Sequence, residues 1–398
     1  MEFQTMIARL ERDLAPELEA ISHFLYTHPE LGMEERQAAA YLSEWMEEKG
    51  FVVERPWHGL DTAFAARWGE QGPCVAFLAE YDALPGYGPQ GRDPGHACGH
   101  NWIAATCAGA AVIFKRVCEQ TGLKARVLLA GCPAEETFGS KSLLAREGAF
   151  DGVDCAMQAH LSEETNLYHR SLALTALEIR YFGKAAHASA APWEGINALD
   201  AIQLFYAGVS AMRQQMKPDV RLHGVIREGG LAANSIPERA SCLYYARAAR
   251  RQDLARVVER LREVARGAAL MTGARLEITQ AEQPMDDIVR LPSLQELFDG
   301  LLRKEGLVTI TPEQEAARSV GSTDVGNVSH ICPTIFVEVG LEGFNGHTEE
   351  ALALADEKAY PALHSTVRVL AGAALQVASD GGLRETLWTE FRQNSGIR

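Results

Sequence analysis

Apolar positions along the first 161 residues of the chain alternate between two rhythms. CVAFLAEY at 74–81, RVLLAG at 126–131 and DCAMQAHL at 154–161 are short, nearly unbroken apolar runs that end in polar residues. Each predicts a buried strand. Between them, residues 101–118 carry the three-to-four spacing of a helix, and two further helical patterns fill the first fifty residues. His28-Pro29-Glu30-Leu31-Gly32 breaks those two apart, because proline and glycine punctuate helices. Strands alternating with helices predict a doubly wound, mostly parallel sheet covered on both faces, with ligands bound beyond the carboxyl ends of its strands. Polar residues stand there: Glu80 and Asp82 after the first run, Glu135 and Glu136 after the second, His160 at the end of the third.

From residue 172 the order changes to strand (172–182), helix (196 to about 216), two paired strands (220–230 and 240–249), helix (252–271) and a last strand, ARLEITQ. This βαββαβ order is the ferredoxin-like arrangement, a unit of about a hundred residues that can be inserted into another domain. In its second helix Leu254, Val257, Val258, Leu261 and Val264 recur at helical spacing, which leaves arginine and glutamate on the opposite face. After residue 283 helix and strand patterns resume, with PTIFVEVG at 333–340 as a further buried strand. The expected organisation is a discontinuous domain, residues 1–172 and 285–398, with residues 173–284 inserted.

Composition narrows the possible partners. The chain has 398 residues, 47% hydrophobic and 23% charged, and its net charge of −15 is spread along the sequence. That balance disfavours nucleic acid and anionic membranes, so small molecules are the expected ligands. No apolar run reaches the roughly 18 residues that span a bilayer, and the start of the chain is amphipathic and acidic, so a cytoplasmic location is expected. Eight cysteines without framework spacing fit a reducing compartment.

The candidate chemistry centres on His96-Ala97-Cys98-Gly99-His100, three metal donors within five residues ahead of a helix. A thiol there is expected to ionise easily, being close to the positive end of the helix dipole. The competing reading is a reduced core cysteine flanked by surface histidines. Glu135-Glu136 follows a strand and a proline, and paired carboxylates beside a core are costly unless a cation neutralises them. One would ligate while the other takes a proton from water made acidic by the metal; two solvated surface glutamates are the alternative. His160 and His347, the latter in GFNGHTEE, complete a set of N, S and O donors suited to zinc or manganese, as a single ion or as a pair with a bridging ligand. His187, among small residues in GKAAHASAAPWEG, could reach a substrate oxygen or serve packing alone. His23, His28, His58, His169, His223, His330 and His364 have no ligand-like company and are expected to be surface or packing residues.

HACGHN, CPAEE, AHASAAPWEGINALDA, ANSIPE followed by YYARAA, GSTDVGNVS and GHTEE occur in the order found in the M20 metallopeptidase and amidohydrolase family. The chain most resembles its branch of aminobenzoyl-glutamate hydrolases, N-acyl-amino-acid amidohydrolases and M20-domain dipeptidases, from THPELGMEE at 27–35 to HTEEALALADEKAY. The resemblance implies Cys98, His100, Glu136, His160 and His347 as ligands of one or two divalent ions, and Glu135 as general base. Asp82 matches an aspartate that orients a histidine ligand, although Glu80 stands where many members have histidine, which leaves the number of ions open. Asn101 replaces the aspartate of the auxin-conjugate and hippurate-type enzymes.

The same resemblance implies a homodimer formed through the inserted domain. His187 would stabilise an oxyanion in the partner's site, Asn234 would hold the scissile carbonyl, and Arg247 would receive a substrate carboxylate. The expected activity is hydrolysis of an amide bond in a small carboxylate-bearing molecule, with loops 86–95 and 234–238 shaping the pocket. Alternatives are hydrolytic deamination of an aromatic amine, a cysteine hydrolase using Cys98 with His96 or His100 as base, and a silent member that only binds. Retention of Glu135 argues against silence.

Overall fold

A computed structural model describes residues 2–87 and 93–396, so residues 88–92 of the expected pocket loop 86–95 lie outside the described part. Its strands are β1 (Val52–Glu54), β2 (Phe64–Trp68), β3 (Cys74–Glu80), β4 (Arg126–Cys132), β5 (Cys155–Ser162), β6 (Ala173–Phe182), β7 (Arg221–Glu228), β8 (Arg239–Ala248), β9 (Arg275–Gln280) and β10 (Thr334–Gly340). Two units divide the chain. One runs to Arg170 and resumes over Ile288–Val320 and from Asp324 onward; the other comprises Ser171–Asp287 and Gly321–Thr323.

In the first unit six strands lie in the order β1-β2-β4-β3-β5-β10. β4, β3, β5 and β10 run parallel, while β1 and β2 add an antiparallel margin. That margin was not legible in the sequence, because the three-residue β1 and the alanine-rich FAARW of β2 give little apolar rhythm. β3 is buried along its whole length and its side chains alternate between two cores. Val75, Phe77 and Ala79 join the core that contains the helices Glu2–Thr27, His100–Thr121 and Tyr360–Ser379. Cys74, Ala76 and Leu78 join the opposite core, with Leu144, Phe150, Val325 and Val328. The sheet is thus covered on both faces, and the period-two alternation of a strand sends Glu80 toward the second core.

The second unit holds the antiparallel sheet β7-β8-β6-β9, whose order and βαββαβ sequence are ferredoxin-like. Its helices are Ala198–Met212, extended by a 3₁₀ turn at Arg213–Gln215, and Arg251–Thr272. Leu254, Val257, Leu261, Ala265 and Ala268 form the buried stripe of the latter. Asn197 starts the former by accepting the N–H groups of Leu199 and Asp200. No helix among the described residues is long and apolar enough to cross a membrane.

Candidate active site

Parallel strands place their carboxyl ends along one edge, and the expected ligands gather there. Ligand atoms of Cys98, His100 and His160 lie within 4.8 Å of one another, as do those of Cys98, Glu136 and His347. Cys98 belongs to both groups. Its Sγ is 3.4 Å from His160 Nε2, and His347 Nε2 is 3.0 Å from Glu136 Oε1. His100, the first residue of its helix, is fixed from behind, with Nδ1 2.9 Å from Asp82 Oδ1. The other oxygen of Asp82 accepts the backbone N–H of Glu136 at 3.0 Å, so one buried carboxylate positions two expected ligands. His100 Nε2 is buried without a hydrogen bond, facing Glu80 at 3.7 Å and Glu136 at 3.8 Å. An imidazole held by a carboxylate on one nitrogen and left open on the other suits a divalent ion, and histidine, cysteine and glutamate together are a donor set for zinc or manganese.

The electrostatics correct one expectation. Burial pushes the Cys98 thiol far above its ordinary range and Glu136 adds to the effect, so in the protein alone Cys98 is a poor thiolate. The helix begins only at His100, and burial beside a carboxylate outweighs the dipole. His96, offered as a base for a cysteine nucleophile, is pushed down to about 3 by burial and by His100. Burial also opposes a charge on His100, but Asp82 reverses this and holds its pKa well above the ordinary value. Glu135 is raised well above the carboxylate range by burial and by Glu80, Glu136 and Asp324. Glu136 is lowered: burial opposes ionisation, and the bond from His347 and the nearby His100 overcome it.

The loop carrying both glutamates is anchored by a residue to which the sequence assigned no role. Glu35, fully buried, accepts the N–H of Ala134 at 2.7 Å and the hydroxyl of Thr62 at 3.0 Å. Ala134 has φ +56°, unusual for a side chain with a Cβ, and its carbonyl accepts the N–H groups of Phe138 and Gly139. A Cβ on Gly32 would collide with Thr137 and Ala134, which explains the glycine in THPELG. His347 is also left-handed, at φ +65°, tied by its N–H to Ala97 and through its carbonyl to the Tyr87 hydroxyl.

Lys141 carried no sequence signal, and Asp324 stood in the motif GSTDVGNVS without an assigned role. Lys141 is fully buried, 2.6 Å from Glu80 and 2.5 Å from Asp324. Asn101 turns its amide to Ser22 and the Ala355 carbonyl, a packing role. Three histidines expected to lack company have carboxylate partners: His23 with Asp356, His169 with Glu338, and His364 with both Glu11 and Glu19.

In the second unit the structure brings His187 and Asn234 onto adjoining segments, where Ala188 N–H donates to the Asn234 carbonyl. His187 Nδ1 accepts from the N–H groups of Ser189 and Ala190, which places the ring proton of the neutral imidazole on Nε2. Arg247 lies on β8 and donates to Ser322 at 2.8 Å.

A doubly wound α/β unit with N, S and O donors converging beyond its parallel strands, joined to a ferredoxin-like unit, has the form of a metallohydrolase. Peptidase family M20/M25/M40 matches residues 76–375, and the chain belongs to it. It is therefore a metal-dependent hydrolase. The Xaa-Arg dipeptidase of Mus musculus is 36% identical over 96% of this chain and 90% of that protein. One of the subunits of the p-aminobenzoyl-glutamate hydrolase of Escherichia coli is 34% identical over 65% of this chain and 56% of that protein. Among solved structures, an aminobenzoyl-glutamate utilization protein from Klebsiella pneumoniae superposes with a TM-score of 0.71, at 20% identity over 92% of this chain and 96% of that one. A dinuclear metal binding peptidase from Bacillus subtilis gives 0.64, at 22% identity over 90% and 99%. At those identities the likeness concerns the fold.

Proposed function

We propose that this enzyme hydrolyses an amide bond in a small carboxylate-bearing molecule, a dipeptide or an N-acyl or aminobenzoyl amino acid. Cys98, His100, Glu136, His160 and His347 would hold one or two divalent ions, zinc or manganese. The observation that carries this reading is the pair of donor groups sharing Cys98, with Glu135 beside them. A shared ligand favours two ions. When bound, such ions polarise a carbonyl and bring the acidity of water toward neutrality.

The chain's own residues supply the rest. Glu135, only partly exposed and crowded by carboxylates, is basic enough to take a proton from the attacking water and pass it to the leaving amine. Asp82 keeps His100 and the Glu136 backbone in place. His187, with its proton on Nε2, would donate to the developing oxyanion in a partner subunit's site, Asn234 would help hold the scissile carbonyl, and the guanidinium of Arg247 would take the substrate carboxylate. The names of the mouse and E. coli relatives support dipeptides and aminobenzoyl-glutamate as substrate classes.

The first unit would be catalytic, and the second would serve as lid and homodimer surface. β7 supports the latter role: it is an edge strand paired with β8, with Val225 and Ile226 exposed. A cysteine hydrolase is disfavoured by the raised Cys98 thiol.

The test joins a metal-content assay to a screen of Xaa-Arg and other dipeptides, N-acyl amino acids and aminobenzoyl-glutamate, with and without a chelator. Hydrolysis that stops on chelation and returns with zinc or manganese is expected. Turnover that survives complete metal removal would sink the proposal.

A further inference from the structure

Behind the proposed base lies a second acidic cluster. Carboxylate oxygens of Glu80, Glu135 and Asp324 come within 4.8 Å of one another, close enough to hold a metal ion by oxygen alone. The cluster already contains a cation. The Lys141 ammonium, on a fully buried side chain, sits 2.6 Å from Glu80 Oε1 and 2.5 Å from Asp324 Oδ1, while Asp324 Oδ2 accepts the Lys141 backbone N–H at 2.9 Å. A lysine so buried is tolerated only because anions pair with it, and Glu80 and Asp324 tolerate each other because that cation stands between them.

Three separate parts of the fold build this arrangement. The alternation of β3 turns Glu80 toward the second core, the helix Ser140–Arg146 brings Lys141 along that face, and Asp324 precedes the helix Val325–Ser329 packed beside it. Glu80 also borders the expected ligands, its Oε2 facing His100 Nε2 at 3.7 Å.

We infer that Lys141 is a built-in cation: its ammonium, paired with Glu80 and Asp324, occupies the position a metal ion would take in the cluster these two form with Glu135, closes that cluster to metal, and attracts the Glu135 carboxylate across it. Lys141 is thus a positioning residue for the base. The second part of the inference rests on the reading of Glu135 as base; the first does not, because ion occupancy is independent of turnover.

Two substitutions of Lys141, one of them combined with a change at Asp324, separate the parts. Lys141→Ala removes the ammonium and leaves room, so the variant prepared with Mn²⁺ is expected to hold a further ion per subunit relative to wild type, measured by elemental analysis after desalting. Adding Asp324→Asn should abolish the extra ion. A Lys141→Ala protein that binds no more manganese than wild type, or that fails to fold even with manganese supplied, overturns the inference. Lys141→Met fills the space without charge, so the metal count and KM should stay at wild-type values while kcat falls at least about tenfold on the best substrate of the screen. An unchanged kcat in that variant overturns the positioning role. Failure of the Glu135 reading would appear separately, as full turnover in Glu135→Gln.

Discussion

Asp82 and His100 face each other across 2.9 Å, and the same carboxylate accepts the N–H of Glu136 at 3.0 Å. Asp82 therefore governs the aim of two expected ligands, one at a helix start and one on the loop after β4. In Asp82→Asn a single carbonyl oxygen remains to accept, so either the ring or the loop loses its anchor. Metal affinity should fall about 10- to 100-fold, the usual effect of losing such a partner. Competition with a chromogenic chelator measures it, and wild-type affinity would show that Asp82 serves packing alone.

Glu135→Gln keeps size and hydrogen bonding but removes basicity. Turnover should drop by at least about a hundredfold with metal content unchanged. Steady-state kinetics beside elemental analysis decide this, and a near-normal rate would remove Glu135 from the mechanism.

Cys98 belongs to both donor groups, so Cys98→Ser should affect each of them. Replacing the thiolate by a harder, less acidic donor should lower metal content and activity together while circular dichroism stays unchanged. Full occupancy without activity would point instead to a nucleophilic cysteine.

If His187 completes the site of a partner subunit, two inactive parents, His187→Ala and Glu135→Gln, should regain activity when their subunits exchange. One site of each mixed dimer would then carry both a good base and a good histidine, up to about half the wild-type sites by two-fold symmetry. Verified heterodimers as inactive as their parents would exclude a shared site.

His364 lies between Glu11 and Glu19, and Arg368 reaches Glu11 at 2.8 Å, joining the helices Glu2–Thr27 and Tyr360–Ser379. The bond to Glu11 leads in raising the His364 pKa above 6.5. Burial works against ionisation of Glu11, but the bonds from His364 and Arg368 bring its pKa below 4.5. The histidine's contribution is complete below 6.5 and disappears as pH rises through its raised folded value; that of Glu11 is complete above 4.5 and disappears as pH falls through its lowered one. His364→Gln should therefore lower Tm by roughly 1–2 °C at pH 6, about 1 kcal/mol, and by less at pH 9. An equal deficit at both values, read by calorimetry, would exclude a charged role.

Local pattern carried much of this protein. Unbroken apolar runs announced β3, β4, β5 and β10, and the βαββαβ order announced the second unit, because strand and helix periods are written in neighbouring residues. HACGH and the adjacent glutamates were legible for the same reason: their donors are close in sequence, and the carboxyl ends of parallel strands gather such loops. Only the tertiary structure decided what neutralises Glu80, since Lys141 and Asp324 are 183 positions apart and meet through the facing of one strand. The grip of Glu35 on Ala134 spans 99 positions, and the failure of Cys98 to ionise easily follows from burial beside Glu136. Buried charge is settled by what surrounds it in space, and spacing along a chain does not report that.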